Sequence, residues 1–136
     1  MGINSSLQEF NLESYQVIFT SASVNLTGTG LTNMINVTET GQLCEIAISY
    51  GAVSGTPTVN LEIQIDGQTT QTLSMLAGSG SLTDAAFAFA LDDTGNAKLR
   101  IPIFTRYKTS CRVGLNVSAA AAGGTYKATV TRGKKI

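Results

Sequence analysis

The stretch from Pro57 to Leu76, PTVNLEIQIDGQTTQTLSML, constrains the fold more than any other. Val59, Leu61, Ile63 and Ile65 alternate with Thr58, Asn60, Glu62 and Gln64, the period of two expected of a strand with one buried face. Asp66-Gly67 follows and reverses the chain. The returning strand carries Leu73 and Met75, again two apart. A two-residue loop would pair odd positions with even ones and leave Leu73 and Met75 on the polar face. A three-residue loop pairs odd with odd and brings Leu73 near Leu61 or Val59. The pattern therefore predicts a three-residue loop with Gly67 at positive φ in a G1 bulge. It points to an antiparallel β protein and carries no chemistry of its own.

The rest of the chain agrees with an all-β fold. Strands are expected over 14–21, 34–38, 43–50, 84–91, 98–104, 110–118 and 125–132, which with the hairpin makes about nine. Their spacing is that of an antiparallel β-sandwich or barrel of jelly-roll type. In 84–91 the phenylalanines fall on one face and the alanines on the other. Asp92 to Asn96 reads as a turn. Pro102 cannot donate a ladder hydrogen bond, so its strand lies at an edge or is bulged there. Ser6-Leu7-Gln8-Glu9 fits a capping box, and residues 1–13 read either as an extended arm or as a short helical turn. Residues 14–136 read as one domain. A chain of 136 residues is long enough to bury about two-thirds of its unfolded surface.

Several function classes are excluded by what the chain lacks. It has no His, so neither a Ser-His-Asp nor a Cys-His arrangement can be built. Asp92 and Asp93 are neighbours and do not face each other across a cleft as glycosidase carboxylates do. Asp92, Thr94 and Asn96 lack the later Glu of a calcium loop. Cys44 and Cys111 sit among apolar strand residues and read as two buried free thiols, without the spacing of a zinc site. No catalytic residue, cofactor or metal is expected, and the chain reads as a non-enzyme. No apolar run approaches a membrane span, and the N-terminus lacks the pattern of a secretory signal.

Charge is distributed unusually. All nine acids lie between Glu9 and Asp93, and all nine bases between Lys98 and Lys135. Three readings follow. Late strands thread among early ones, so that acids and bases meet within the chain. Alternatively, copies associate basic face to acidic face, a heterologous contact that closes into a ring, with a trimer favoured. Leu43 to Tyr50 and Lys98 to Phe104 carry apolar residues on both faces, and the alanines of 84–91 and 119–122 allow close approach, which also favours self-association. Thirdly, Arg100, Arg106, Lys108, Arg112, Lys127, Arg132, Lys134 and Lys135 form a nucleic-acid surface. Zero net charge and few aromatics beside those bases count against it. For a protein partner, the expected interface residues are Arg100, Arg106, Lys108, Arg112, Arg132, Lys134 and Lys135.

With its strand-rich segments TPTVNLEIQIDGQTTQTL and KLRIPIFTRYKTSCRVGLNV, the chain resembles the small jelly-roll head decoration, or cement, proteins of tailed bacteriophages. That resemblance implies a symmetric oligomer, made in the host cytoplasm, that binds the major capsid protein on the head surface and stabilises the shell. It carries over no functional residue. The rival reading is a carbohydrate-binding or receptor-binding β-sandwich module of a virion or secreted assembly. An exposed aromatic platform would favour the rival, and a basic docking face would favour the virion protein.

Overall fold

The structure, a computed structural model, describes residues 14–50, 57–76, 89–93 and 96–136. Its described elements are nine strands: β1 (Tyr15–Asn25), β2 (Gly30–Thr38), β3 (Gly41–Tyr50), β4 (Thr58–Ile65), β5 (Gln71–Leu76), β6 (Phe89–Asp93), β7 (Asn96–Tyr107), β8 (Ser110–Ala119) and β9 (Thr125–Lys135). They form a five-stranded sheet, β1-β9-β3-β7-β6, and a four-stranded sheet, β2-β8-β4-β5. All pairings are antiparallel.

The pairing is nested. β1 lies beside β9, β2 beside β8, β3 beside β7, and β4 beside β5. This is one long hairpin, with β1–β4 as one arm and the later strands as the other. Rolled into two layers, it gains the β3–β9 and β4–β8 pairs and becomes a jelly-roll sandwich. β6 is an addition that pairs with β7 at the edge.

The core is what the alternation dictates. Val59 and Leu61 from β4, Cys111, Val113, Leu115 and Val117 from β8, and Tyr126, Ala128 and Val130 from β9 are buried between the layers. Full burial of a Leu, Ile or Val side chain is worth about 1.5–3 kcal/mol. A core of this size therefore needs neither disulfide nor metal, and both cysteines are free.

Several elements differ from the sequence reading for identifiable reasons. The hairpin register is odd with odd, Leu61 opposite Leu73 and Val59 opposite Met75. The loop is longer than three residues, because β4 ends at Ile65 and β5 begins at Gln71. Asp66 and Gly67 both take positive φ, 52° and 68°. Gln68 N–H donates to the Ile65 carbonyl at 3.0 Å, closing the turn. The extra length holds Asp66 against the β7–β8 turn, as described below. Asp92 and Asp93 belong to β6, opposite Ala97 and Asn96, and not to a turn. β1, β2 and β9 all extend further than the apolar alternation suggests. The expectations for 1–13 and for the first part of 84–91 lie outside the described residues.

The apolar residues on both faces of β3 and β7 have an internal cause. The β3 register shifts between Leu43 and Glu45, against both β7 and β9. This bulge lets Leu43 and Ile46, three apart in sequence, both point inward and become fully buried. Cys44 is the residue displaced. It is half-buried, with its thiol 3.6 Å from the Gln42 carbonyl oxygen. Opposite it, Phe104 takes φ 52° and is left exposed. Pro102 lies beside the bulge, beyond the last β6–β7 pair at Arg100, where no described strand requires its missing N–H.

Candidate functional site

The nested hairpin explains the charge segregation. Glu39, Glu45 and Glu62 belong to its early arm and the bases to its late arm, and folding lays one along the other. Arg132 Nε lies 3.3 Å from Glu39, Arg112 Nη2 lies 3.2 Å from Glu62, and Arg100 Nε lies 3.4 Å from Glu45. The described ion pairs therefore follow the intramolecular reading.

These pairs differ in weight. Arg132 is buried, and its guanidinium also reaches Thr20 Oγ1 at 3.3 Å. Tyr107 donates its hydroxyl to Glu39 Oε2 at 2.8 Å, completing a buried polar node. Burial, then the hydrogen bond to Glu39, raises the Tyr107 hydroxyl well above its ordinary value. Arg112 spans the outer face of the four-stranded sheet. It donates to Gln64, Asn33, Glu62 and Thr70, while Asn116 donates to the second oxygen of Glu62 at 2.9 Å. Gly114 leaves room for this layer: a Cβ there would lie 2.8 Å from Asn33 Oδ1 and 2.9 Å from Leu31 Cδ1. Arg100 is well exposed, and a solvated pair of this kind contributes only about 0–1 kcal/mol.

Asp66 is bound differently. Its Oδ1 accepts the backbone N–H groups of Thr109, Lys108 and Ser110 at 2.7, 2.9 and 3.2 Å. Those bonds hold its carboxyl below the ordinary value, the Thr109 contact most of all. Asp66 therefore fastens the β4–β5 turn to the β7–β8 turn.

The seven expected interface bases thus divide. Arg132 is buried and Arg112 half-buried, each holding an internal acid, so neither is presented as a free docking cation. Arg100 is exposed beside Glu45. Arg106, Lys108, Lys134 and Lys135 are exposed, and they converge on one end of the five-stranded sheet. Gln42 sits opposite both Arg106 and Gly133, Gln16 and Gly41 sit opposite Lys134, and Tyr15 sits opposite Lys135. Thr40 ties in the remaining segments, donating to the Lys108 carbonyl and accepting from Lys135 N–H. Lys127 lies elsewhere, towards the start of β9 opposite Ser23.

Apolar groups lie beside these cations. Val17 shares the cross-strand row of Gly133, Gln42 and Arg106, and Phe19 lies in the next row with Thr131, Glu45 and Pro102. Val17, Phe19, Phe104 and Ile136 are 61%, 68%, 66% and 82% accessible. These are the groups that sequence reasoning missed. Val17 and Phe19 alternate with Gln16 and Ile18, a pattern that does not say which face is buried, and nothing local to Phe104 reveals the bulge that exposes it. The four acids whose side chains are described, Glu39, Glu45, Glu62 and Asp66, are all engaged within the chain. Among the described residues, this end gathers four exposed basic side chains together with exposed apolar surface, a composition that suits a docking surface.

No family model and no curated protein matches the chain. A solved structure of infectious bursal disease virus, Gt strain, is similar with a TM-score of 0.38 and 10% identity, over 90% of this chain and 38% of that one. A likeness at that level says nothing about what this chain binds.

Proposed function

We propose that this chain is a non-enzymatic structural protein of a virion, a decoration or cement protein that docks on the head shell of a tailed phage and stabilises it. The observation that carries the reading is the basic, apolar end of the five-stranded sheet. Arg106, Lys108, Lys134 and Lys135 are gathered there beside Val17, Phe104 and Ile136. Jelly rolls serve as capsid domains and as lectins alike, so the fold favours a class of roles and the surface chooses among them. A capsid shell of acidic outer surface is the partner that this end suits. Apolar contact supplies most of the affinity, and the cations supply orientation and encounter rate. With the described acids engaged inside their own chain, the proposal does not include a ring built on basic-to-acidic contacts between copies.

The carbohydrate reading has less to stand on. The polar face around Arg112 bonds within itself, and the exposed aromatics on the described surface are Phe19 and Phe104, which lie on the other sheet.

Co-sedimentation with purified shells tests the proposal. The chain should bind shells at low salt and more weakly at high salt. Reversing Lys134 and Lys135 to Glu should weaken binding at least tenfold while leaving the melting temperature unchanged. Equal binding by that variant, or no binding by the unmodified chain to the shells of its phage, would overturn it.

A further inference from the structure

Sheet edges expose unpaired N–H and C=O groups, and proteins guard them with short strands, bulges, proline or charge. The described edge strands here are β1 and β6 in one sheet and β2 and β5 in the other. β5 has six residues, and β6 has five and ends in Asp92-Asp93. β2 is bulged between Asn33 and Ile35. β1 has none of these protections. Its eleven residues run in unbroken register with β9, from Tyr15 opposite Lys135 to Asn25 opposite Thr125. It contains no proline and no charged residue, and the whole of 14–38 is uncharged. No described strand pairs with its other edge. Its outward face carries Val17 and Phe19, both more than half accessible.

We propose that β1 is the contact between two copies of this chain. It pairs antiparallel with the β1 of a second copy about a two-fold axis, joining the two five-stranded sheets into one. The charge pattern names the occupant. In a two-fold contact each strand meets its own sequence, so a charged edge would set like charges against each other. β1 has no charge to repel. The spacing of the apolar pair sets the register. Val17 and Phe19 are two apart on one face, so pairing centred on Ile18 places Val17 of each copy opposite Phe19 of the other. That forms an aromatic–β-branched pair on each side of the axis. The same register puts each Tyr15 opposite Ser21, which holds the two Lys135 side chains about 20 Å apart along the strands. The outer-edge N–H and C=O groups of 17–19, which no described strand pairs, gain partners. This contact uses the strand edge and not the cations, but it shares Val17 with the docking end, so the mass and exchange measurements made without shells are what separate it from shell docking.

Light scattering on the full chain at low micromolar concentration should give about twice the 14.2 kDa of one chain. Amide exchange in 17–20 should slow as concentration rises. Val17→Lys with Phe19→Lys, both at exposed positions, should leave the melting curve in place and weaken the pair at least tenfold. The double charge reversal at Lys134 and Lys135 should leave the pair intact. A wild-type mass of one or three chains, concentration-independent exchange in 17–20, or an undiminished pair in the double-lysine variant would each overturn the inference. Shell co-sedimentation stands or falls apart from these measurements. The exchange experiment needs no variant, so a misfolded substitution does not shield the proposal.

Discussion

Thr109 donates its backbone N–H to Asp66 Oδ1 at 2.7 Å, and through that contact two turns 43 positions apart are held as one structure. The carboxyl's folded value lies below the ordinary 3.8. Its stabilisation is therefore complete above the unfolded value and is lost as pH falls through the folded one. Asp66→Asn keeps an oxygen acceptor but removes the charge. It should melt below the wild type at pH 7, with the gap narrowing as pH drops below about 4. A gap of constant size across that range would show that charge plays no part.

Gly67 stands in the same turn at φ 68°, and nothing lies within 4 Å of where a Cβ would be. Any cost of Gly67→Ala is therefore conformational rather than steric. The expected loss is about 1 kcal/mol, read as a shift in urea midpoint. An unchanged midpoint would mean that the turn relaxes to accept a side chain.

How much of this was legible in the sequence varied with range. The alternation of Val59, Leu61 and Ile63 and the odd-to-odd pairing with Leu73 are local, and both stand. The bulge at Cys44 was hidden because Leu43 and Ile46 look like residues of opposite faces until the register shift is known. The length of β1 was hidden because Ser21 to Asn25 pairs small polar residues with Ala22 and Val24, a weak apolar signal. At the candidate site, the basic residues were visible but their division was not. Which of them stay on the surface depends on partners such as Glu39, 93 positions from Arg132. Only the nested strand order brings such residues together.

The two thiols should differ sharply in reactivity. Burial pushes the Cys111 thiol up to about 12, so it stays protonated and shielded in the folded chain. Cys44 is half-buried at the bulge. Under native conditions alkylation should modify Cys44 first, and denaturant should release Cys111 as a second free thiol. Equal native rates would contradict the burial of Cys111, and a mass two hydrogens low before reduction would contradict both free thiols.

Glu39 and Arg132 form a buried pair that should show strong coupling. Arg132→Met alone leaves the Glu39 carboxylate buried with the Tyr107 hydroxyl but without its cation. Loss of one member of such a pair costs about 3–5 kcal/mol. Glu39→Leu combined with Arg132→Met should cost less than the two single changes together, by at least about 1 kcal/mol. Additive urea midpoints would show that the two side chains do not depend on each other.

Gly41 explains how that node fits under the sheet. It is buried, opposite Tyr107 on one side and Lys134 on the other. A Cβ placed on it would meet the Gly133 carbonyl oxygen and the end of the Tyr107 side chain, its hydroxyl and the ring carbon that bears it. The first is backbone of β9, paired on both sides by β1 and β3, and the second is held by Glu39, so neither can yield cheaply. Gly41→Ala should therefore destabilise by about 1–3 kcal/mol through overpacking and should displace the Tyr107 hydroxyl from Glu39. Gly28 is the matched control, because its Cβ would meet nothing within 4 Å. Gly28→Ala should stay within about 0.5 kcal/mol of the wild type. Combining Gly41→Ala with Tyr107→Leu, which removes both the ring carbon and the oxygen that a Cβ would meet, should cost less than the two single changes together. Strict additivity, or a Gly41→Ala midpoint equal to that of Gly28→Ala, would mean that the end of the Tyr107 side chain does not occupy the space the glycine leaves.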